Sequence, residues 1–238
     1  MATVMEYAEL ADAVYDDDPA VEGWNRIGFR PSGSGITNAF QGAAFTKDGE
    51  TVFAFKGTSG GRDVMADVKL AAGMNTYQYS SARDFVIQTV NHQRINVSLC
   101  GHSLGGAIAQ IIGNRMGLPF VTFNAPGVGL FSRNLGETAA TVFTGSGALR
   151  VAGTISSAFM HPVQAARDTA AVFNVVSGAN FRLGSDIVGS TGVHFGRVIE
   201  IPYSGGALDV MAKHLMGNMI AALETSQYRN SPLSAVVG

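Results

Sequence analysis

The segment from Ile95 to Asn114 carries no charged side chain, and it constrains the fold more than any other stretch of the chain. Its 20 residues would be long enough to cross a bilayer as a single helix. The segment nevertheless contains four glycines and the polar residues Ser98, His102, Ser103 and Gln110. We therefore predict a strand, a tight turn and a helix here, and no transmembrane segment.

The composition bounds the class of protein. The chain has 238 residues, of which 14% are charged, against a usual value of about 25%. The net charge is −2 and Lys and Arg form no cluster, so the sequence indicates no basic surface for binding nucleic acid or an anionic membrane. The single cysteine, Cys100, excludes an internal disulfide. No repeat or linker interrupts the chain, so we expect one domain spanning residues 1–238.

The amino-terminal residues show neither the basic region nor the apolar region of a secretory signal. We therefore expect the protein to be cytoplasmic, or to be exported without a classical signal peptide.

The order of predicted elements indicates an α/β fold. An opening helix carries Tyr7, Leu10, Ala11 and Val14 at helical spacing. Residues 39–46 and 51–56 flank the Asp48-Gly49 pair, which is typical of a β-hairpin. After that hairpin the predicted strands and helices alternate, which favours a mostly parallel sheet with helices on both faces.

The part of the chain after the hairpin is predicted to contain the following strands and helices. A capping box at Ser81 opens a helix, and the last helix covers about 208–224. Between them we predict strands at 95–100, 120–123, 149–152, 172–176 and 194–201, and a helix at 104–116.

The pattern Gly-x-Ser-x-Gly occurs twice, at 57–61 and at 101–105. It places a serine on a strained turn between a strand and a helix, where the glycines leave the hydroxyl accessible. With 30 Gly and 18 Ser in the chain, roughly 0.3 matches are expected by chance, so the pattern alone is weak evidence.

Context separates the two serines. Ser103 follows an uncharged strand and precedes a helix that begins with Gly105 and Gly106, small enough to pack closely on that strand. Ser59 is followed by Gly60-Gly61-Arg62-Asp63, which is typical of a flexible loop. We therefore predict Ser103 as the nucleophile.

A serine nucleophile needs a histidine base and an acid that orients it, in the chain order Ser, Asp or Glu, His for this architecture. This order removes the two upstream histidines, His92 and His102, and leaves His161, His194 and His214. We favour the last, because the final loop of such a chain returns to the carboxyl edge of the sheet. His194 opens an apolar strand, where a structural hydrogen bond is the commoner role.

Three aspartates compete for the role of acid. Asp186 lies past the strand predicted at 172–176, and 28 residues before His214. Asp168 has the pattern of a helical surface residue, and Asp209 shares a predicted helix with His214 at a spacing that makes the two side chains diverge. We therefore favour Asp186.

At this point four blocks, in order along the chain, resemble the class 3 lipases, which are fungal triacylglycerol lipases and their bacterial relatives in the α/β-hydrolase superfamily. The resemblance covers about residues 1–224. The blocks are Val52 to Thr58, Ser98 to Gln110, Thr122 to Gly129, and the pair formed by Asp186 to His194 with His214-Leu215.

The resemblance implies an α/β-hydrolase fold with Ser103 as nucleophile, Asp186 as acid and His214 as base. It also implies that the backbone amides of Thr58 and Leu104 form the oxyanion hole. No metal or cofactor is implied.

Three positions depart from the family pattern. Lys56 replaces an Arg, which keeps a cation but loses the bidentate fork, so the family salt bridge at this position is not expected. Asn124 and Gly127 replace a Gly and an Arg, which changes the loop beside the serine turn.

Two further segments have two interpretations each. Residues 59–80 correspond to the lid of these lipases, but they also fit an ordinary amphipathic helix. Residues 151–172 could line an acyl-chain site, although apolar side chains are more often core, as are Met211, Met216 and Met219.

The sequence thus predicts a serine ester hydrolase that releases fatty acids from acylglycerols through an acyl-enzyme. A phospholipase A1-type activity or a short-chain carboxylesterase is the alternative, and a non-catalytic binding protein on the same fold is the rival class. The expected partners are a lipid or ester substrate and, transiently, a lipid–water interface.

Overall fold

The computed structural model describes residues 1–32, 40–57, 76–90, 96–128, 177–184, 186–203 and 213–237. These ranges contain five helices, α1 (Val4–Ala13), α2 (Thr76–Val90), α3 (Leu104–Met116), α4 (Met216–Glu224) and α5 (Leu233–Val236). They also contain seven strands, β1 (Asn25–Arg30), β2 (Gly42–Lys47), β3 (Glu50–Phe55), β4 (Val97–His102), β5 (Phe120–Phe123), β6 (Gly178–Leu183) and β7 (Arg197–Ile201).

The described strands form one mixed sheet in which spatial order follows chain order from β1 to β7. The first three strands pair antiparallel, and β3 to β7 pair parallel, with Phe53 beside Leu99 and Leu99 beside Phe120. Since the carboxyl ends of parallel strands meet at one edge, the residues that follow β4, β5 and β6 come together there.

Apolar side chains are buried on both faces of the sheet. Along β3, Val52 and Ala54 belong to one core cluster and Phe53 and Phe55 to the other. The first cluster packs under α1, α4 and α5, and the second under α2 and α3. Burial on both faces explains why the central strands read as continuous apolar runs. The predicted architecture, a mostly parallel sheet with helices on both faces, is confirmed.

The antiparallel start is larger than the predicted hairpin. The turn between β2 and β3 was predicted correctly, and Asp48 and Gly49 adopt φ values of 50° and 79°, as a tight hairpin turn requires. The strand β1 was not predicted, because this edge strand is mostly exposed and therefore shows no apolar alternation.

Two predicted helices differ from the structure. The helix expected to open at Ser81 begins at Thr76, so Ser81 lies inside α2 and caps nothing. Among the described helices, α1 has a capping box, in which Thr3 and Glu6 exchange hydrogen bonds. The closing helix is interrupted near its predicted middle: Lys213 and His214 are helical, the backbone of Leu215 is extended (φ −67°, ψ 138°), and α4 begins at Met216.

The remaining strand predictions have mixed outcomes. The strands at 149–152 and 172–176 lie outside the described residues. Strand β6 was missed, because the polar residues Asn180 and Arg182 interrupt its apolar pattern. Within the described ranges, the helices are all too short or too polar to cross a bilayer.

Candidate active site

Ser103 lies on the turn between β4 and α3, in a strained backbone conformation. Its φ of 56° and ψ of −127° are uncommon for a residue with a side chain, and such strain concentrates at functional sites. The glycines around it are required by close packing. A Cβ on Gly106 would lie 2.5 Å from Cβ of Ala125 and 2.9 Å from the carbonyl oxygen of Gly101. The predicted strand, turn and helix are therefore confirmed.

The structure brings the three predicted side chains together. Nε2 of His214 lies 2.8 Å from Oγ of Ser103, and Nδ1 of His214 lies 3.1 Å from Oδ1 of Asp186. All three residues are buried, with exposed fractions of 5% or less. Since the carboxylate can only accept, Nδ1 carries the imidazole proton and Nε2 is free to accept the hydroxyl proton.

A tight turn fixes the carboxylate of Asp186. Its second oxygen, Oδ2, accepts a hydrogen bond of 2.6 Å from the amide of Gly189, and its own amide donates to the carbonyl of Leu183. The carbonyl of Asp186 accepts from the amide and the hydroxyl of Ser190. One oxygen is thus held by the turn while the other faces His214.

A second histidine, His102, lies directly beside the base. Its ring centroid is 4.8 Å from that of His214, and its Nε2 lies 2.6 Å from the main-chain oxygen of His214. Its Nδ1 lies 3.0 Å from the hydroxyl of Tyr15. Burial, and then the neighbouring His214, lower the pKa of His102 to about 3, so this imidazole is neutral at ordinary pH.

Of the three remaining histidines, the structure describes His194, which has no hydrogen bond to Ser103. Nε2 of His194 lies 2.9 Å from the carbonyl oxygen of Ala125, so the structural hydrogen bond predicted for it is confirmed. Burial lowers the pKa of His194. His92 and His161 lie outside the described residues, as do Asp168 and Asp209.

One of the two predicted oxyanion donors can be described. Leu104 is the first residue of α3, so its amide has no partner within the helix. Thr58 lies outside the described residues, and so does Ser59. The preceding residue, Gly57, packs on the serine turn, where an added Cβ would lie 3.2 Å from Cβ of Ser103.

Lys56 contacts neutral oxygens. Its ammonium lies 3.3 Å from the carbonyl oxygen of Tyr15 and 3.2 Å from Oε1 of Gln41. It also lies 5.7 Å from the centre of the Tyr15 ring. Among the described residues, no carboxylate forms a salt bridge with Lys56.

Sequence reasoning missed two side chains of this site. No sequence motif marks Tyr15, yet its hydroxyl reaches both Gly57 and His102. Asn124 was noted only as a departure, yet it is fully buried and its amide binds the backbone next to His214. One sequence signal was available at Asn124: an Asn directly after a predicted buried strand. Asn tolerates a left-handed backbone, and Asn124 has a φ of 47°.

The other predicted segments have these outcomes. Residues 59–75 of the predicted lid and the predicted acyl-chain segment 151–172 lie outside the described residues, as does Met211. Met216 and Met219 are buried in the core, as expected. The described residues contain no cluster of three or more His, Cys, Asp or Glu side chains that could hold a metal ion.

The parallel sheet, the strained serine turn after β4 and the covering helices define an α/β-hydrolase fold. A family model described as a Tle-like phospholipase domain matches residues 6–201. The chain therefore belongs to this phospholipase-like family, and the resemblance to class 3 lipases is confirmed at the level of a class 3 lipase-like α/β-hydrolase.

Individual proteins are also similar to this chain. An extracellular phospholipase A1 of Serratia liquefaciens is 31% identical over 137 residues, which is 53% of this chain and 43% of that protein. The chain thus spans less than half the length of this relative. Among solved structures, the Rhizomucor miehei lipase propeptide complex matches at 17% identity and a TM-score of 0.37, covering 53% of this chain and 55% of that one. Carboxyl esterase 2 of Tuber melanosporum matches at 14% identity and a TM-score of 0.41, covering 94% and 89%.

Proposed function

We propose that this chain is a serine carboxylic-ester hydrolase that releases fatty acids from acylglycerols through an acyl-enzyme. The observation that carries the proposal is the continuous hydrogen-bonded chain from Ser103 through His214 to Asp186, with distances of 2.8 and 3.1 Å. Membership of a phospholipase-like family supports ester chemistry on lipids.

The proposed reaction uses these three side chains in two halves. The hydroxyl proton of Ser103 passes to Nε2 of His214 while Oγ attacks the ester carbonyl carbon, whose oxygen takes the electron pair of the double bond. The intermediate then expels the alcohol, which takes the proton from His214. Water next gives a proton to His214 and attacks the acyl carbon, and the fatty acid leaves as the proton returns to Ser103. Asp186 stays ionised and holds Nδ1–H throughout.

The proposed oxyanion hole consists of the amides of Leu104 and Thr58. Support for Leu104 comes from its place at the start of α3, where its amide and the positive end of the helix dipole favour a negative charge. Support for Thr58 comes from its neighbour Gly57, which packs on Ser103. Loss of one such donor typically removes about 3–4 kcal/mol of transition-state stabilisation.

Phospholipids are the second candidate substrate. The family model carries the name phospholipase, and the Serratia relative is called a phospholipase A1. Fatty-acid release from triolein, tributyrin and phosphatidylcholine separates the candidates. Faster release from triolein supports the acylglycerol proposal, faster release from phosphatidylcholine supports the phospholipase, and activity on tributyrin alone supports a short-chain carboxylesterase.

Two exposed apolar residues support contact with a lipid–water interface. Ile187 directly follows Asp186 and is 44% exposed, and Leu215 directly follows His214 and is 55% exposed. We expect Ile187→Ser and Leu215→Ser to lower turnover of emulsified triolein while leaving p-nitrophenyl acetate hydrolysis unchanged. Ile27→Ser is the matched control, because Ile27 is similarly exposed but lies on the edge strand β1. Equal triolein turnover in all three variants argues against this surface.

The mechanism is tested by removing the hydroxyl. We expect Ser103→Ala to abolish p-nitrophenyl ester hydrolysis and covalent labelling by a fluorophosphonate, whereas Ser59→Ala keeps both. Hydrolysis of p-nitrophenyl esters by Ser103→Ala would contradict the mechanism. A folded wild-type protein that binds esters but neither hydrolyses them nor is labelled would instead support the binding-protein class.

The location of the protein is also a proposal. The Serratia relative is called extracellular, which favours export over a cytoplasmic location. Measuring the protein in culture supernatant and in cell lysate, alongside a cytosolic marker enzyme, decides between the two.

A further inference from the structure

The main-chain oxygens of Lys213 and His214 are bound by two buried side chains that the proposed reaction does not use. Nε2 of His102 lies 2.6 Å from the oxygen of His214. Nδ2 of Asn124 lies 2.9 Å from the oxygen of Lys213 and 3.5 Å from that of His214. His102 ends β4 and Asn124 follows β5, so residues at the ends of two neighbouring strands hold the helical backbone of Lys213 and His214.

We propose that His102 and Asn124 are positioning residues, which fix the backbone of Lys213 and His214 so that the imidazole lies between Ser103 and Asp186. This inference rests on the proposed function, because it assigns a role relative to the base of that reaction. Neither residue touches the reacting atoms.

The amide group of Asn124 connects the acid segment to the base segment. Its Oδ1 accepts a hydrogen bond of 2.9 Å from the amide of Leu183, three residues before Asp186. Since that amide can only donate, the orientation of the side chain is fixed and its NH₂ group faces the Lys213 and His214 carbonyls. The side chain is fully buried, so water cannot replace these hydrogen bonds without rearrangement.

The orientation of His102 follows from a chain of hydrogen bonds with one possible direction. The main-chain oxygen of His214 can only accept, so Nε2 of His102 carries the proton and donates it there. In a neutral His102, Nδ1 then accepts from the hydroxyl of Tyr15, whose oxygen in turn accepts from the amide of Gly57 at 3.0 Å. The end of β3 is thereby linked to the base through two side chains.

Asn124→Gly is the most informative substitution. Glycine adopts the φ of 47° at this position without strain, and the related lipase block has Gly there, so the backbone can keep its course. The variant removes both the acceptor for Leu183 and the donor to Lys213 and His214. Asn124→Asp is the second variant, since it keeps an acceptor for Leu183 but turns a carboxylate oxygen towards the two carbonyls.

Thr122→Val is the matched control for Asn124. Thr122 is also fully buried and donates to Oδ1 of Asn180 at 2.7 Å, so its replacement removes a buried hydrogen bond between β5 and β6. It has no contact with Lys213 or His214 among the described hydrogen bonds. Thr122→Val should therefore lower the melting temperature and leave turnover unchanged.

The expected result is a loss of kcat in Asn124→Gly with an almost unchanged KM. Misplacement of a reacting group by about 1 Å can cost on the order of 100-fold in rate, so we expect kcat to fall by about 10- to 100-fold. The acid limb of the pH–rate profile should also move, because the pairing of His214 with Asp186 changes. A purely structural role for Asn124 would move neither quantity once activity is divided by the amount of folded enzyme.

Tyr15→Phe and Tyr7→Phe test the His102 half of the proposal. Tyr7 lies in α1, and Tyr15 lies in the turn after it. The hydroxyl of Tyr15 contacts His102, and the hydroxyl of Tyr7 lies 2.8 Å from Oγ of Ser98. Both partners belong to β4. Tyr15→Phe should lower kcat severalfold, and Tyr7→Phe should lower only the stability. Wild-type turnover in Tyr15→Phe overturns this half.

Each rate is divided by the number of sites that a fluorophosphonate labels at completion, which corrects for misfolded protein. Wild-type kcat and a wild-type pH profile in both Asn124→Gly and Asn124→Asp overturn the positioning role of Asn124. An inactive or unlabelled wild-type enzyme would instead contradict the proposed function itself, so the two failures are distinct.

Discussion

The amide of Gly57 donates a hydrogen bond to the phenolic oxygen of Tyr15, with 3.0 Å between the two atoms. Gly57 also packs against the serine turn, where an added Cβ would lie 3.2 Å from Cβ of Ser103. The segment after β3, the turn after α1 and the serine turn are thus in direct contact. This contact leaves no room for a side chain at Gly57.

We predict that Gly57→Ala lowers kcat by about 10-fold or more, because the active-site geometry is sensitive to shifts of about 1 Å. The new methyl group would lie 2.6 Å from the hydroxyl of Tyr15 and 2.7 Å from the carbonyl oxygen of His102, so the end of β3 must move. Steady-state hydrolysis of p-nitrophenyl butyrate measures the effect.

The matched control for Gly57→Ala is Gly217→Ala in α4, where an added Cβ meets no atom within 4 Å. Alanine is a better helix former than glycine, so we expect this control to gain about 0.5–1 kcal/mol of stability at unchanged kcat. Full activity in Gly57→Ala would contradict the packing argument.

The strain at Ser103 predicts a stability difference between two inactive variants. Backbone strain of this kind costs on the order of 1–3 kcal/mol, and glycine relieves it at an entropic cost of about 0.5–1 kcal/mol. Because both variants lack the hydroxyl, Ser103→Gly should be more stable than Ser103→Ala by about 1 kcal/mol. Denaturant unfolding curves measure the difference, and an equal or lower stability of Ser103→Gly speaks against strain.

The serine turn was predictable because its signals are local. An uncharged strand, a serine between two glycines and a helix of small residues are contiguous in the chain, and each is required by a contact within a few residues. The acid and the base needed more than local pattern. Chain order narrowed the candidates, the positions of Asp186 past a predicted strand and of His214 late in the chain favoured this pair, and the resemblance to a known family implied the same two residues.

The supporting side chains were not predictable in the same way. Tyr15 and His102 are 87 residues apart, and Asn124 and Lys213 are 89 apart, so no periodicity links them. Strand β6 was missed for a related reason. Its polar residue Asn180 can be buried because its side chain donates to the main-chain oxygens of Phe195 and Arg197, and only the folded sheet brings these oxygens within reach.

Asp186→Asn should impair catalysis through the tautomer of His214. The amide of Gly189 is a fixed donor, so the amide oxygen of the new side chain will face Gly189 and its NH₂ group will face Nδ1 of His214. The imidazole proton then moves to Nε2, which can no longer accept from Ser103. We expect kcat/KM to fall on the order of 10³- to 10⁴-fold, as in other serine triads.

Asp168→Asn is the comparison for Asp186→Asn, and we expect it to keep wild-type kcat/KM. A crippled Asp168→Asn together with an active Asp186→Asn would show that the acid has been assigned to the wrong residue.

The buried imidazole of His102 predicts a loss of stability in acid. In the unfolded chain this group binds a proton near its ordinary pKa of 6.5, whereas in the folded chain its pKa is about 3. Between these values the unfolded state binds more protons, so the contribution of His102 is complete above about pH 6.5 and is lost as the pH falls towards about 3. The slope from one such group is at most about 1.4 kcal/mol per pH unit.

Unfolding free energies of the wild type and of His102→Gln, measured between pH 7 and pH 4, test this dependence. The difference between the two proteins isolates His102 from the carboxylates and from His194, whose pKa burial also lowers. We expect the wild type to lose stability more steeply than His102→Gln, because glutamine binds no proton in either state. Parallel curves would mean that the folded protein protonates His102 as readily as the unfolded chain does, which would contradict the lowered pKa of this imidazole.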